Sequence, residues 1–212
     1  MSARRGIKAQ RARTYLTIER SAALFRRELL PNLGPADPIP AASVVLPALS
    51  KVPVVDGRDA YRVEYAARDL PLGVEGQTYF DRKQRAFVIG LADPVFRDLE
   101  HSKPRARFTL AHELGHFVLH WRDLMSLLQM PHAQAALLRT AEPVHPNSLD
   151  TEWQANIFAG AFLMPACALG SMARHHGELD AREVAGRFGV SSGAARNRIQ
   201  IYALKQWDLD RA

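Results

Sequence analysis

FTLAHELGHFVLHW, residues 108–121, is the stretch from which the fold can be read outward. Phe108, Leu110, Ala111, Leu114, Phe117, Val118 and Leu119 make it apolar on nearly every side, the pattern of a helix that runs through the interior rather than along the surface. His112, Glu113 and His116 therefore sit where water is scarce. An uncompensated polar group there costs roughly 2–7 kcal/mol, and a charge more. A metal ion compensates them. Residues four apart on a helix lie about 40° apart around its axis, so His112 and His116 can each aim a ring nitrogen at one cation. Glu113 is displaced from that line and falls beside the attacking water, where a general base belongs.

At 212 residues and 47% hydrophobic content the chain can bury a full core, enough for one domain of moderate size or a domain with a small appendage. Cys167 is the one cysteine, which excludes an intrachain disulfide framework and suits a reducing compartment. The basic start, MSARRGIKAQRAR, leads into no apolar signal region, and no apolar run is long enough to cross a bilayer. The expectation is a cytoplasmic protein with no membrane partner. A net charge of +6 suits contact with an anionic polymer, and equally a plain solvated surface.

Residues 6–30 read as a helix, with Tyr15, Leu16, Ile18, Ala22, Phe25, Leu29 and Leu30 at three- and four-residue steps and Pro31 ending the run. Residues 31–53 are rich in proline, a connector with at most one short helix around 41–49. Residues 61–65, 77–80 and 86–91 read as strands, the last two joined by the charged turn DRKQR, and together suggest a small antiparallel sheet. A strand at the sheet edge beside the metal helix can hold an extended peptide by main-chain hydrogen bonds. Simple packing on the helix is the other role open to it.

Ser102 and Pro104 are start signals for the metal helix, which would span 103–121. His120 extends the histidine stripe, but eight residues from His112 its direction has rotated by about 80°, which favours packing or support behind a ligand over ligation. The metzincin spacing is excluded, because Leu119 and Arg122 stand where it requires glycine and histidine. Residues 123–147 hold a Met- and Leu-rich piece, a short helix in HAQAALLRT and a loop, a segment able to frame a cleft or act as a lid. Its His132 and His145 read as surface residues.

A further helix over 149–164 carries the apolar stripe Ala155, Phe158, Ala159, Phe162 and Leu163. Glu152 opens it, 36 residues after His116. Two histidines from one helix and a glutamate from the next complete a three-ligand Zn2+ set that leaves the fourth position for water. The same donors accept Mn2+. A first-turn acidic residue favoured by the helix dipole is the other reading of Glu152, and Asp150 is the alternative ligand. Asn156, one turn after Glu152, points the same way and could hydrogen-bond the far nitrogen of a ligand histidine.

HELGHFVLH (residues 112–120) followed by EWQANIFAGAFLMP (152–165) resembles the ImmA/IrrE zinc metallopeptidases, whose members show AHELGH and then a Glu-x-x-Ala-Asn-x-Phe-Ala stretch ending in Leu-Met-Pro. The resemblance spans roughly residues 61–204. It implies a gluzincin-like site with His112, His116 and Glu152 on zinc and Glu113 as catalytic base. It also implies a role: cleavage of a helix-turn-helix repressor, often encoded alongside, which switches on genes of mobile elements, DNA-damage responses or phage defence. The expected fold class is α+β, a mainly helical zincin-like core with a small antiparallel sheet. The expected division is an N-terminal helix and connector (1–53), the metallopeptidase core (54–170) and a C-terminal helix-turn-helix-like segment (171–212).

That last segment carries a second hypothesis. Asp180 with Glu183 forms a capping pair, and Ala185, Gly189 and Val190 take places expected in a helix-turn-helix, with Ser191 or Ser192 capping its second helix. Arg196 and Arg198 could then face DNA, making the protein a DNA-binding regulator with the metal site as sensor. Against this, Arg198 stands at a late position of the motif where an apolar residue is usual. For a peptidase, the oxyanion donor is open among Tyr79, His145, His175, His176 and Tyr202. Cys167, just past the Met-Pro, could act as a thiolate switch on the metal or be an inert buried thiol. The basic charge makes single-stranded DNA a candidate activator.

Overall fold

Thr14 starts the first helix, α1 (Tyr15–Leu29): its hydroxyl accepts the Thr17 amide, and the Thr17 hydroxyl accepts the Thr14 amide. The structure, a computed structural model, describes residues 8–127 and 146–209. The helix expected from residue 6 thus begins later. Ahead of Thr14 the chain is extended, with the Ala9 N–H donating to Leu149 O (2.7 Å) and the Arg13 N–H to Ser148 O (2.8 Å). Main-chain pairing with a distant segment has overridden the local pattern.

The connector holds α2 (Ala42–Leu49), and four strands follow: β1 (Val54–Asp56), β2 (Asp59–Arg68), β3 (Gly76–Asp81) and β4 (Ala86–Ala92). β1 and β2 form a hairpin over Gly57, whose φ of 64° suits a tight turn. The expected antiparallel sheet is corrected to a mixed one, ordered β1-β2-β4-β3. β3 and β4 are antiparallel across the DRKQR turn, but that hairpin inserts β4 beside β2, and those two run parallel. β4 is accordingly buried almost along its length, as a central strand covered on both faces must be. β3 is left at the edge and packs against the central helix.

α3 (Asp93–Glu100) opens with Asp93 and Pro94, suited to a first helical turn. The central helix, α4 (Pro104–Leu127), runs six residues beyond its expected end at Trp121. A single 3₁₀ turn (Asn147–Leu149) leads into α5 (Thr151–Leu163), followed by α6 (Ala166–His176), α7 (Ala181–Phe188) and α8 (Ser192–Leu209). The short helix expected in HAQAALLRT, with His132 and His145, lies outside the described residues. The α+β class holds, with helices dominant. No single described helix is long and apolar enough to cross a membrane.

Aromatic rings join these elements: Phe25 of α1 meets Phe117, Phe158 and Phe162, and Phe87 of β4 meets Phe117 and Trp121. Beneath them lies a buried polar knot. Arg198 is 2% exposed, its guanidinium paired with both carboxylate oxygens of Glu19 (2.8 and 2.7 Å) and donating to Met164 O. Glu19 also accepts the Ala166 N–H that opens α6. Arg198 therefore does not face DNA: its charge at a core position answers Glu19, and leaving either partner alone would cost about 3–5 kcal/mol. Arg196 is exposed, as expected.

Candidate metal centre

Gly115 decides how closely the two ligand-bearing helices approach. A Cβ there would stand 3.0 Å from Ala155 Cα and 3.1 Å from Ala155 O, so only glycine lets α4 lie this near α5 without displacing backbone. Asp150 caps α5 by accepting the Trp153 N–H (2.9 Å), which fixes the first turn and aims Glu152 across the helix contact. Asp150, the alternative ligand, is thus engaged as a cap and stands outside the ligand group.

His112, His116 and Glu152 converge. Each offers one ligand atom, and the three atoms lie within 4.8 Å of one another. The two Nε2 atoms are 3.0 Å apart, and the Glu152 carboxylate is 3.4 Å from His112 Nε2 and 3.3 Å from His116 Nε2. On the far side of the first ring, Asn156 Oδ1 lies 3.2 Å from His112 Nδ1, so the ring hydrogen belongs on Nδ1 and the Nε2 lone pair faces the cluster. Two nitrogen lone pairs and a carboxylate turned toward one point repel each other unless a cation sits among them. This donor set, two imidazoles and a carboxylate with room for a fourth ligand, fits a divalent metal.

Without metal, a proton takes the cation's part. Burial pulls the His112 pKa down, but the Glu152 hydrogen bond, the Glu113 and Glu152 charges and the Asn156 hydrogen bond outweigh it and leave the pKa raised. Burial pushes Glu152 up, yet its contacts with His112 and then His116 carry it well below the usual carboxylate range. His120 is held down at about 3 by burial and by the neighbouring His116.

The stability consequence has a definite sign. A raised histidine contributes stability below its unfolded pKa of about 6.5 and loses it as pH rises; the depressed carboxylate contributes above about pH 4.3 and loses it as pH falls. Chelator-treated protein is therefore expected to melt at progressively lower temperature between about pH 6 and pH 8. Glu152→Gln should flatten that slope. A melting temperature that climbs over the same interval would contradict the assignment.

Glu113 lies beside this cluster, 5% exposed, and is held from β3. The Thr78 hydroxyl lies 2.7 Å from Glu113 Oε2 and 3.1 Å from Glu113 O, and donates to the carboxylate. Gly76 leaves the space the carboxyl group fills: a Cβ there would come within 2.7–2.9 Å of Glu113 Cγ, Oε1 and Cδ. Gly76→Ala should therefore push the Glu113 carboxyl group aside while leaving metal affinity and fold stability nearly intact. Cleavage is expected to drop by about a hundredfold, the scale of a 1 Å misplacement. Normal turnover by that variant would show that Glu113 need not sit where it does.

A cleft of about 1010 Å³ opens on Glu152 and Asn156 and is lined by Tyr15, Phe108, Trp153, Asn197 and Ile201 among others. Of the oxyanion candidates, Tyr79, His175 and Tyr202 are not among its lining residues, and Tyr202 is buried. His145 and the His176 side chain are outside the described part. Tyr15, read from the sequence only as part of the first helix's apolar stripe, and Asn197 do line the cleft. Cys167 donates to Pro35 O (3.4 Å) and lines a different cavity, with Glu19 and Arg26, that none of the three metal-site residues lines.

Thr78 and Gln154 are further residues that motif spacing missed. Both were detectable as polar side chains at core-facing positions: Thr78 alternates inward with Phe80 on β3, and Gln154 lies on the buried side of α5.

Comparison with known families matches residues 95–200, half of the chain, to the peptidase family described as the IrrE N-terminal-like domain. That span begins in α3 and takes in α4, α5, α6, α7 and the first half of α8, so it excludes the sheet that the motif resemblance had included. No curated protein matches the chain.

Proposed function

The chain belongs to the IrrE N-terminal-like domain family and is a metallopeptidase; from that premise we propose that it is a zinc-dependent, gluzincin-like endopeptidase that cleaves a helix-turn-helix transcriptional repressor. In this reading His112, His116 and Glu152 hold the metal and Glu113 is the catalytic base. The observation that carries it is the meeting of those three ligand atoms within 4.8 Å of one another, beside a buried carboxylate anchored from a separate strand.

A divalent metal bound there would supply Lewis acidity, polarising the peptide carbonyl and acidifying water. Manganese could fill the same donor set. The chain's own residues do the rest. Asn156 and His120 orient the two ligand rings from behind. Thr78 holds the Glu113 carboxylate, which takes a proton from the attacking water and delivers it to the leaving amine. The outer edge of β3 has no strand neighbour among the described residues, and an extended segment can lie along it by main-chain hydrogen bonds.

The two motifs shared with the ImmA/IrrE enzymes support a helix-turn-helix repressor as the substrate class, and the open edge of β3 suits an extended segment of such a protein. Its cleavage would derepress genes for stress responses, mobile elements or phage defence. The net charge of +6 supports single-stranded DNA as activator. The test incubates the metal-loaded protein with the repressor encoded beside its gene, with and without single-stranded DNA, and reads the products on a gel. Discrete cleavage that a chelator stops supports the proposal, and dependence on DNA supports the trigger. An intact repressor in every arm overturns the substrate assignment.

A further inference from the structure

We infer that Gln154 is a positioning residue for the metal centre: through His120 it fixes which nitrogen of His116 faces the metal, and it ties that choice to the main chain at Arg11 and Ser148. The inference rests on the reading of His116 as a metal ligand.

The Gln154 side chain, wholly buried on α5, has one end of its amide 3.1 Å from Arg11 O and 2.7 Å from Ser148 O. Both partners are carbonyls, which only accept, so that end must be the NH₂ group and both its hydrogens are committed. The other end is then the oxygen. It lies 2.9 Å from His120 Nε2.

An amide oxygen cannot donate, so His120 carries its hydrogen on Nε2 and presents a bare Nδ1. That atom lies 3.4 Å from His116 Nδ1. His116 must therefore carry its own hydrogen on Nδ1 to make the bond, which leaves its Nε2 as a lone pair. Nε2 is the atom 3.0 Å from His112 Nε2 and 3.3 Å from Glu152 Oε1. Each link permits one proton arrangement, and together they prepare His116 for a metal before one arrives.

Neither acceptor is anonymous main chain. Arg11 belongs to the extended segment ahead of α1, and Ser148 to the turn before α5, and the two stretches pair with each other through Ala9, Arg13, Ser148 and Leu149. Arg13 adds a side-chain bond to Leu119 O, next to His120. The N-terminal segment, outside the span matched to the family, is thereby part of what orients His116. Asn156 does the equivalent for His112 in one step from an exposed position, whereas the His116 side runs inward through two buried residues.

The test uses nitrogen-15 NMR of the histidine rings in the full chain, which reports which ring nitrogen bears hydrogen, together with zinc affinity by competition against a chromophoric chelator. In wild-type protein His120 is expected as the Nε2–H form with and without zinc, and zinc-loaded His116 as the Nδ1–H form bound through Nε2. Gln154→Met, of similar volume, should remove the His120 preference and weaken zinc binding about 10–100-fold. His120 found as the Nδ1–H form in the wild type would overturn the inference without any variant, so a Gln154→Met chain that fails to fold does not shield it. A folded variant with unchanged affinity would overturn it as well. Wild-type protein that shows the predicted His120 form yet binds no zinc would strike down the metal reading of His116 and leave the hydrogen-bond chain standing.

Discussion

Glu113→Gln protein is expected to bind zinc as tightly as the unaltered chain and to cleave its substrate roughly 10²–10⁴-fold more slowly, the range that proton transfer by a placed side chain contributes. The amide keeps the shape of the carboxyl group and its oxygen can still accept from Thr78, which lies 2.7 Å from the carboxylate, so the fold has no reason to change. What it loses is the capacity to take a proton from water. Because His112 and His116 do not depend on Glu113 for their orientation, metal affinity separates this role from ligation. Equal loss of metal and activity would mean that Glu113 belongs to the metal set, and undiminished cleavage would remove it from the mechanism.

Glu152→Gln should act on the other half of the site. Removing that charge leaves the two Nε2 atoms, 3.0 Å apart, with a neutral neighbour in place of a carboxylate. Zinc affinity is expected to fall by more than the roughly 10–100-fold that loss of a supporting group costs, and cleavage to disappear at zinc concentrations that saturate the wild type. Asp150→Asn is the matched control. Asparagine can keep the cap on the Trp153 N–H, so stability and zinc binding should both survive. If Asp150→Asn lost the metal while Glu152→Gln kept it, the ligand assignment would have to be exchanged.

The central helix and its two histidines were legible in the sequence because one motif states both the spacing and the burial. Glu152 stood out as an acid opening an apolar helix, but the sequence left open a dipole-favoured acid there and Asp150 as the ligand; the capping role of Asp150 appears only in the folded chain. The sheet was only half legible. AFVIGLA, residues 86–92, is apolar at nearly every position rather than alternating, the mark of a central strand, and that pattern distinguishes the mixed order found from a plain meander.

Other features depend on contacts between residues far apart in sequence, which local periodicity does not carry. The start of α1 moved because residues 9 and 13 pair with 148 and 149. Arg198 stood out in the sequence as a charge at a position usually apolar, but nothing near it in sequence announces Glu19, and only the packing of α1 against α8 supplies that partner. Gln154 shows in EWQANIF as a polar side chain at a core-facing position, but its role does not, since its acceptors are carbonyls of two other segments.

X-ray absorption at the zinc edge tests the central claim most directly, on wild-type protein loaded with one equivalent of zinc. The predicted spectrum has two imidazole nitrogens at about 2.0–2.1 Å and oxygen scatterers at about 2.0–2.2 Å, from Glu152 and water, with no sulfur. A zinc–sulfur distance of about 2.3 Å, or a shell holding fewer than two imidazoles, would contradict the site built from His112, His116 and Glu152.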